Sequence, residues 1–315
     1  MKYIFGPIPS RRLGQSLGID TVPLKVCNWN CVYCQLGRTP SLTLERRAYV
    51  PRDKILAELE QALTAYSPSE IDWITFVGSG EPTLHSDIGW LIRQVKALTR
   101  LPVAVITNGS LLSLTEARAE LATADAILPK LDAGNTRLYR QINRPASSFT
   151  FASLLDGLYA FRQEYSGKLW IEVMLIQGMN DTEAALREMA QILDRIQPDQ
   201  VQITLPVRPP ARAGIKPSDE NGLRRAAGIL GEVAVVTVPA ASQAQAAQTG
   251  DLRESVLNVI TRHPMQTEEL QKLFSRWPAG EVQAALADLE NQHTVQAVEQ
   301  EGHTFWSAAE ARYPR

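Results

Sequence analysis

The hydrophobic and polar positions of this 315-residue chain fall into two alternating patterns. Short runs that are apolar almost throughout lie at Ser16–Val22, Trp73–Val77, Val103–Thr107, Ala126–Leu131, Trp170–Ile176 and Val201–Val207. Runs of this length, rich in β-branched residues, read as strands covered on both faces, the condition of a parallel sheet. Between them the apolar residues recur every three or four positions. In Arg52–Tyr66 they are Ile55, Leu56, Leu59, Ala62 and Leu63, which share one helical face. The same period predicts helices over Ile88–Leu98, Phe151–Tyr165, Thr182–Ile196 and Ser218–Gly231. Alternation of this kind predicts βαβ units and a parallel sheet. Six units give an α/β fold, a partial (βα)6 TIM-like barrel, with a doubly wound open sheet as the alternative. A seventh apolar run, Val233–Val238, predicts an added edge strand.

The pattern then breaks. Pro239–Gly250 is rich in Ala, Gln and Ser without periodicity and reads as a linker between residues 1–238 and residues 251–315. Beyond it, helices are predicted over Leu252–His263, Thr267–Phe274 and Pro278–Asn291. Thr294–Val298 and Thr304–Trp306 then flank a turn containing Gly302. Three helices followed by a hairpin is the pattern of a small winged-helix domain.

Composition alters this picture little. Hydrophobic residues at 44% and charged residues at 21% are ordinary for a globular chain. No apolar run approaches the roughly 18–20 residues that span a bilayer. Met1–Pro7 reaches Gly-Pro before a signal-peptide core can form, so a soluble cytoplasmic protein is expected. A net charge of −2 gives no strong field to gather nucleic acid or anionic lipid. Residues 251–315 hold six Lys/Arg against ten Asp/Glu, and the third helix carries Glu281, Asp288 and Glu290 with no base. Backbone contacts to DNA need Lys and Arg, so duplex DNA is not the expected partner of this segment. A protein- or peptide-docking surface, or a lid over the barrel, fits its charge better.

The cysteines change the picture most. All three lie within eight residues, as Cys27-Asn-Trp-Asn-Cys31-Val-Tyr-Cys34. A disulfide framework wants an even number spread along the chain. Short spacers let three thiolates converge on one iron–sulfur cluster and leave one iron without a protein ligand. Structural zinc is the competing occupant, but it is normally closed by four ligands. No fourth cysteine exists, and His85, His263, His293 and His303 lie far off in sequence. Ligands in either architecture sit beyond the carboxyl ends of the strands. There the chain places Gly78-Ser79-Gly80-Glu81-Pro82-Thr83, Asn108-Gly109, Asp132 and Arg208. Glycines at such a turn admit a ligand close to the backbone, and Glu81 offers a carboxylate to a cationic amine.

CxxxCxxC together with GSGEP resembles the radical S-adenosylmethionine (SAM) superfamily, with Ser79 at the first glycine of the family's GGEP-type turn. Outside those motifs, Phe5–Gly14, Gln35–Thr39, Asn143-Arg144-Pro145, Glu172-Val173-Met174 and Val207–Pro210 resemble a wyosine-synthase-like "Fe–S oxidoreductase" group. The likeness runs over about residues 1–240. It implies that Cys27, Cys31 and Cys34 hold a single 4Fe–4S cluster whose open iron chelates SAM. It implies that Tyr33 lies beside the adenine, and that Gly78, Ser79, Gly80 and Glu81 form the methionine-binding turn. Asn108, Lys130 and Asp132 fall where such enzymes contact SAM, although Lys130 and Asp132 equally suit a structural ion pair. The implied reaction is one-electron cleavage of SAM to a 5′-deoxyadenosyl radical, which abstracts hydrogen from a small molecule, a tRNA base or a peptide. A donor such as flavodoxin or ferredoxin would supply the electron. Candidates on the substrate side are Lys25, a Schiff-base lysine or a solvated loop residue, with Glu172, Arg208 and the Arg11-Arg12 pair. A SAM- or redox-sensing regulator signalling through the winged helix is the other class, against which the acidic third helix counts.

Overall fold

The computed structural model describes residues 1–237 and 251–314. The expected linker at 239–250 lies outside them. The chain opens with an antiparallel hairpin, β1 (Ile4–Ser10) and β2 (Gly14–Ile19). There follow α1 (Arg52–Ala65), β3 (Trp73–Phe76), α2 (Ile88–Leu98), β4 (Val103–Ile106), α3 (Thr115–Leu121) and β5 (Ala126–Leu128). Next come α4 (Thr136–Ile142), α5 (Phe151–Glu164), β6 (Lys168–Met174), α6 (Glu183–Ile196), β7 (Gln200–Thr204), α7 (Glu220–Leu230) and β8 (Ala234–Val236). The six expected strands and the edge strand are present, each ending one to three residues before its apolar run does. Polar and proline-containing strand ends leave the ladder to form the rim.

The helices form for local reasons. In α5, Thr150 accepts from the Ser153 N–H while Ser153 reaches back to the Thr150 N–H, satisfying two donors of the first turn. Thr182 and Asp219 cap α6 and α7 one way only, their side chains accepting from the Ala185 and Gly222 N–H groups. In α1, Ile55, Leu59 and Ala62 form the buried stripe. Helices α3 and α4 carry only two and three buried residues, too few to mark a period in the sequence. Strand β1 also lacked a pattern signal, because its seven residues include Gly6, Pro7 and Pro9. Prolines suit an edge strand, and β1 is the sheet edge.

The sheet order is β1 through β8 without reversal, parallel from β2 onward, which rules out the doubly wound alternative. The sheet is curled. Trp73 on β3 and Trp170 on β6 are separated by two intervening strands, about 14 Å in a flat sheet. Their ring centroids are nevertheless 5.7 Å apart. Lys168 lies over both rings. Leu13, Ala104, Ala126 and Leu128 join these tryptophans in a core on the concave side. Val103, Val105, Ile127, Leu169 and Ile171 face the helices. The period-two alternation that turns Ala104, Leu128 and Trp170 inward also turns Asn108, Lys130 and Glu172 inward near the strand ends. The half-barrel thus has an apolar plug and a polar mouth.

After the undescribed residues come α8 (Leu252–Arg262), β9 (Met265–Gln266), α9 (Thr267–Leu273), α10 (Ala279–Asn291), β10 (Val295–Gln300) and β11 (His303–Ala308). The last three strands pair in the order β10-β11-β9. This segment shares its apolar core with the barrel. Phe5 and Ile8 of β1 pack among Val256, Val259, Phe274 and Leu286. No helix among the described residues is long and apolar enough to cross a membrane.

Candidate active site

The three cysteines lie on the long loop between β2 and α1, each half-buried. Other parts of the mouth hold this loop in place. Asn30 N–H donates to the carbonyls of Asn143 and Arg144, and Val32 N–H to that of Ile142. Asn28 is wholly buried; it donates to Ser110 (2.8 Å) and accepts from Asn108 (2.6 Å). The sulfurs face nitrogen donors: Asn108 Nδ2 lies 3.9 Å from Cys27, Asn143 Nδ2 3.8 Å from Cys31 and Lys25 Nζ 3.2 Å from Cys34. Lys25 is therefore no solvated loop residue. It also donates to the Gly37 carbonyl at 2.7 Å, and its backbone N–H donates to the Ser79 carbonyl at 2.7 Å. Burial, then the nearby Glu81 carboxylate, pushes the Cys27 thiol up to about 12. Burial and Asp132 push Cys31 higher still. Both are protonated at neutral pH unless a cationic centre displaces the proton.

The GSGEP turn is pressed against this loop, which is why it is glycine-rich. A Cβ on Gly80 would stand 2.0 Å from the Val26 carbonyl oxygen. Gly78 has φ +154°, and a Cβ there would stand 2.5 Å from the Asp20 carboxyl carbon. The Ser79 N–H and hydroxyl both donate to Asp20, at 3.1 and 2.5 Å. Glu81 is buried, and its carboxylate is already engaged. It accepts from Thr83 N (3.1 Å), Thr83 Oγ1 (2.5 Å), Thr107 Oγ1 (2.6 Å) and Asn108 N (2.7 Å). Burial raises its pKa while those bonds oppose the rise. In this arrangement Glu81 ties the ends of β3 and β4 together, its carboxylate oxygens already shared among Thr83, Thr107 and Asn108.

On the other flank Tyr33 is buried, donating to Asp132 at 2.5 Å, with Lys130 Nζ 5.3 Å from its ring centroid. Asp132 also accepts from Asn143 Nδ2 (2.6 Å) and Met174 N–H (2.8 Å). Lys130 pairs with buried Glu172, and Arg12 pairs with the other oxygen of the same carboxylate. Lys130 and Asp132 therefore do not pair with each other. Arg208 donates to the Pro264 carbonyl of the C-terminal segment at 2.7 Å. Reading along the chain missed three contributors. Asp20 had a signal, an acidic residue at a strand's carboxyl end. Asn143 belongs to the Asn143-Arg144-Pro145 motif, which by itself points to no role. Arg262, whose Nε is 2.6 Å from Asp20, had none, because it lies 242 residues away.

A family model described as the radical SAM superfamily matches residues 21–190, which contain the cysteine loop, the GSGEP turn, Asn108, Lys130, Asp132 and Glu172. The chain belongs to the radical SAM superfamily. It is an enzyme, and the cofactors of radical SAM enzymes are a 4Fe–4S cluster and SAM. A UPF0026 protein of Methanocaldococcus jannaschii is 31% identical over 88% of this chain and 87% of its own length. The GTPase Obg of Brachyspira hyodysenteriae is 37% identical over 84% of this chain, which spans only 39% of that relative. No GxxxxGK[S/T] phosphate loop occurs in the present sequence. The crystal structure of a radical SAM methyltransferase from Sphaerobacter thermophilus matches the fold with TM-score 0.52 at 18% identity. That match covers 70% of this chain and 65% of the other.

The residues present fit the family's cluster. One loop supplies three thiols, nitrogen donors face the sulfurs, and no fourth cysteine exists to close the site.

Proposed function

We propose that this enzyme cleaves SAM reductively at a single cluster held by Cys27, Cys31 and Cys34, and acts on a small molecule within the half-barrel mouth. The observation that carries this reading is the packing of the GSGEP turn onto the cysteine loop, with Gly80 against Val26 and the Lys25 N–H on Ser79. Bound there, cluster and SAM supply a one-electron S–C5′ cleavage that yields a 5′-deoxyadenosyl radical. The chain's own groups orient these partners. Asn108, Asn143 and Lys25 direct N–H donors at the sulfurs and set the local polarity. Tyr33 is fixed by Asp132 and Lys130, so its ring presents a constant face to an adenine. The Gly78–Glu81 backbone is held open by Asp20 on one side and the Glu81 clamp on the other. Lys25 serves here as a hydrogen-bond donor to the Cys34 sulfur, in place of the Schiff-base role. An electron donor of the flavodoxin or ferredoxin type would complete the system.

Residues 251–314, with a winged-helix order of elements, act in this reading as a cover for the mouth. Arg262 reaches Asp20, Gln35 Nε2 donates to the Arg262 carbonyl at 3.0 Å and Tyr313 donates to the Gln35 carbonyl at 2.6 Å. A segment bound to the residue after Cys34 is placed to exclude water from a radical. The test is anaerobic reconstitution with iron and sulfide, followed by SAM and dithionite. A brown protein forming 5′-deoxyadenosine is expected; stoichiometric zinc without colour, or no product, would overturn the proposal.

A further inference from the structure

The face of the mouth opposite the GSGEP turn is built differently. The β1–β2 hairpin turn carries Arg11 and Arg12 across to β6 and β7. Arg12 reaches Glu172, and Arg11 Nη1 approaches the Leu205 carbonyl at 3.4 Å. Arg208, from the loop after β7, comes to the same place, as does His263 at the end of α8. The side chains of Arg12 and Arg208 are 21% and 11% exposed, so neither is wholly sealed from solvent.

Their hydrogen-bonding capacity is largely unused. Each guanidinium has five N–H donors in a fixed fork. Among the described residues Arg11 has no carboxylate within ion-pair distance and makes one long bond. The Arg12 Nε is buried without a hydrogen-bond partner. Glu172 is divided between Arg12 and Lys130, and Glu269 stands 4.0 Å from Arg208 and is 42% exposed. Three arginines thus share one divided buried carboxylate and one distant, half-exposed carboxylate. Burial, then Arg11 and Arg208, brings the Arg12 guanidinium down to about 9. Burial likewise brings Arg208 down to about 10, with Glu269 opposing and Arg11 adding to the fall. Uncompensated cations in a partly desolvated cleft are costly, and an entering anion relieves that cost. Planar forks match carboxylate and phosphate oxygens in pairs.

We infer that Arg11, Arg12 and Arg208 anchor a carboxylate or phosphate group of a small substrate between the half-barrel and the C-terminal segment. The inference rests on the radical reading above for what happens to the bound molecule, but the site itself is read by binding alone. Two observations select a small ligand over a nucleic acid. The arginines lie beside a segment fastened by the Arg208–Pro264 and Arg262–Asp20 contacts, which restricts access by a bulky polymer. The chain's net charge of −2 also gives no overall positive field to gather a polyanion.

The experiment is calorimetry on the cluster-loaded protein, titrated with inorganic phosphate, with succinate and with uncharged succinamide. Saturable millimolar or tighter binding of phosphate or succinate is expected, and none of succinamide. Which anion binds identifies the headgroup. Arg11→Gln should weaken the binding by about tenfold or more, the scale of a lost charge-assisted hydrogen bond. Arg11→Lys should recover part of it. Visible absorbance checks that each variant keeps its cluster, and Arg208→Lys provides a second test should Arg11→Gln fold poorly. Absence of saturable anion binding in protein that cleaves SAM would overturn the inference. So would equal affinity in Arg11→Gln, or binding of transfer RNA alone. Failure of the unsubstituted protein to form 5′-deoxyadenosine bears instead on the radical reading.

Discussion

The two flanks of the mouth contrast in how their polar groups are satisfied. Beside β2, β3 and β4, buried groups answer one another: Glu81 accepts four bonds, and Asn28, Asn108 and Ser110 close a network. Beside β6 and β7, arginines gather with too few carboxylates to match them. The first arrangement is rigid before any ligand arrives, as befits a cofactor that every substrate must meet in the same pose. The second has donors to spare, as befits a site whose ligand supplies the missing charge. One mouth holds a finished scaffold and an unfinished one.

The most severe way to break the finished side is to remove a proposed cluster ligand. Cys31→Ala should abolish both the colour and 5′-deoxyadenosine formation, measured by iron content and product assay. Persistent product would show the cluster lies elsewhere. Next in size is Arg262→Met, which leaves Asp20 buried without its cation; the side chains are 9% and 4% exposed. Breaking a buried pair costs about 3–5 kcal/mol, read by denaturant unfolding, and SAM binding should weaken because Asp20 also fixes Ser79. An unchanged midpoint and SAM affinity would show that the C-terminal segment is not coupled to the turn.

Smaller is Gly80→Ala, whose added methyl collides with Val26 backbone. Overpacking of this kind costs about 1–3 kcal/mol, and SAM affinity should fall more than stability does, because the turn must retreat from the cysteine loop. The smallest effect is pH dependence. His85 is wholly buried, with Nε2 2.8 Å from the Val50 carbonyl oxygen and Nδ1 accepting from Asp87 N–H at 3.1 Å. Burial lowers its pKa, so below about pH 6.5 the unfolded chain takes up a proton that the folded one refuses. Stability should then fall with pH by at most about 1.4 kcal/mol per unit for this group, and His85→Gln should flatten the slope. His263, lowered by burial and by Arg208, Arg11 and Arg12, carries the same sign on the other flank. An anion bound to those arginines should reduce the His263 contribution and leave that of His85 unchanged.

The parallel α/β architecture is legible in the chain's patterning, because apolar runs and helical periods are local and long. The sequence also pointed to the cysteine loop and the glycine turn, since both motifs are contiguous and their spacing carries their chemistry. It gave no sign of β1, whose glycine and prolines conceal a strand, or of α3 and α4, which are too short for a period to show. Three-dimensional packing alone reveals that Glu81 and Asp132 are engaged internally, and that Lys25 turns back onto Cys34. It alone brought Arg262 to Asp20 and Arg11, Arg12 and Arg208 into one cleft. The reason is physical: a side chain's partners depend on which strand ends the curled sheet draws together. For Asp20 and Arg262 those partners lie 242 positions apart in the chain.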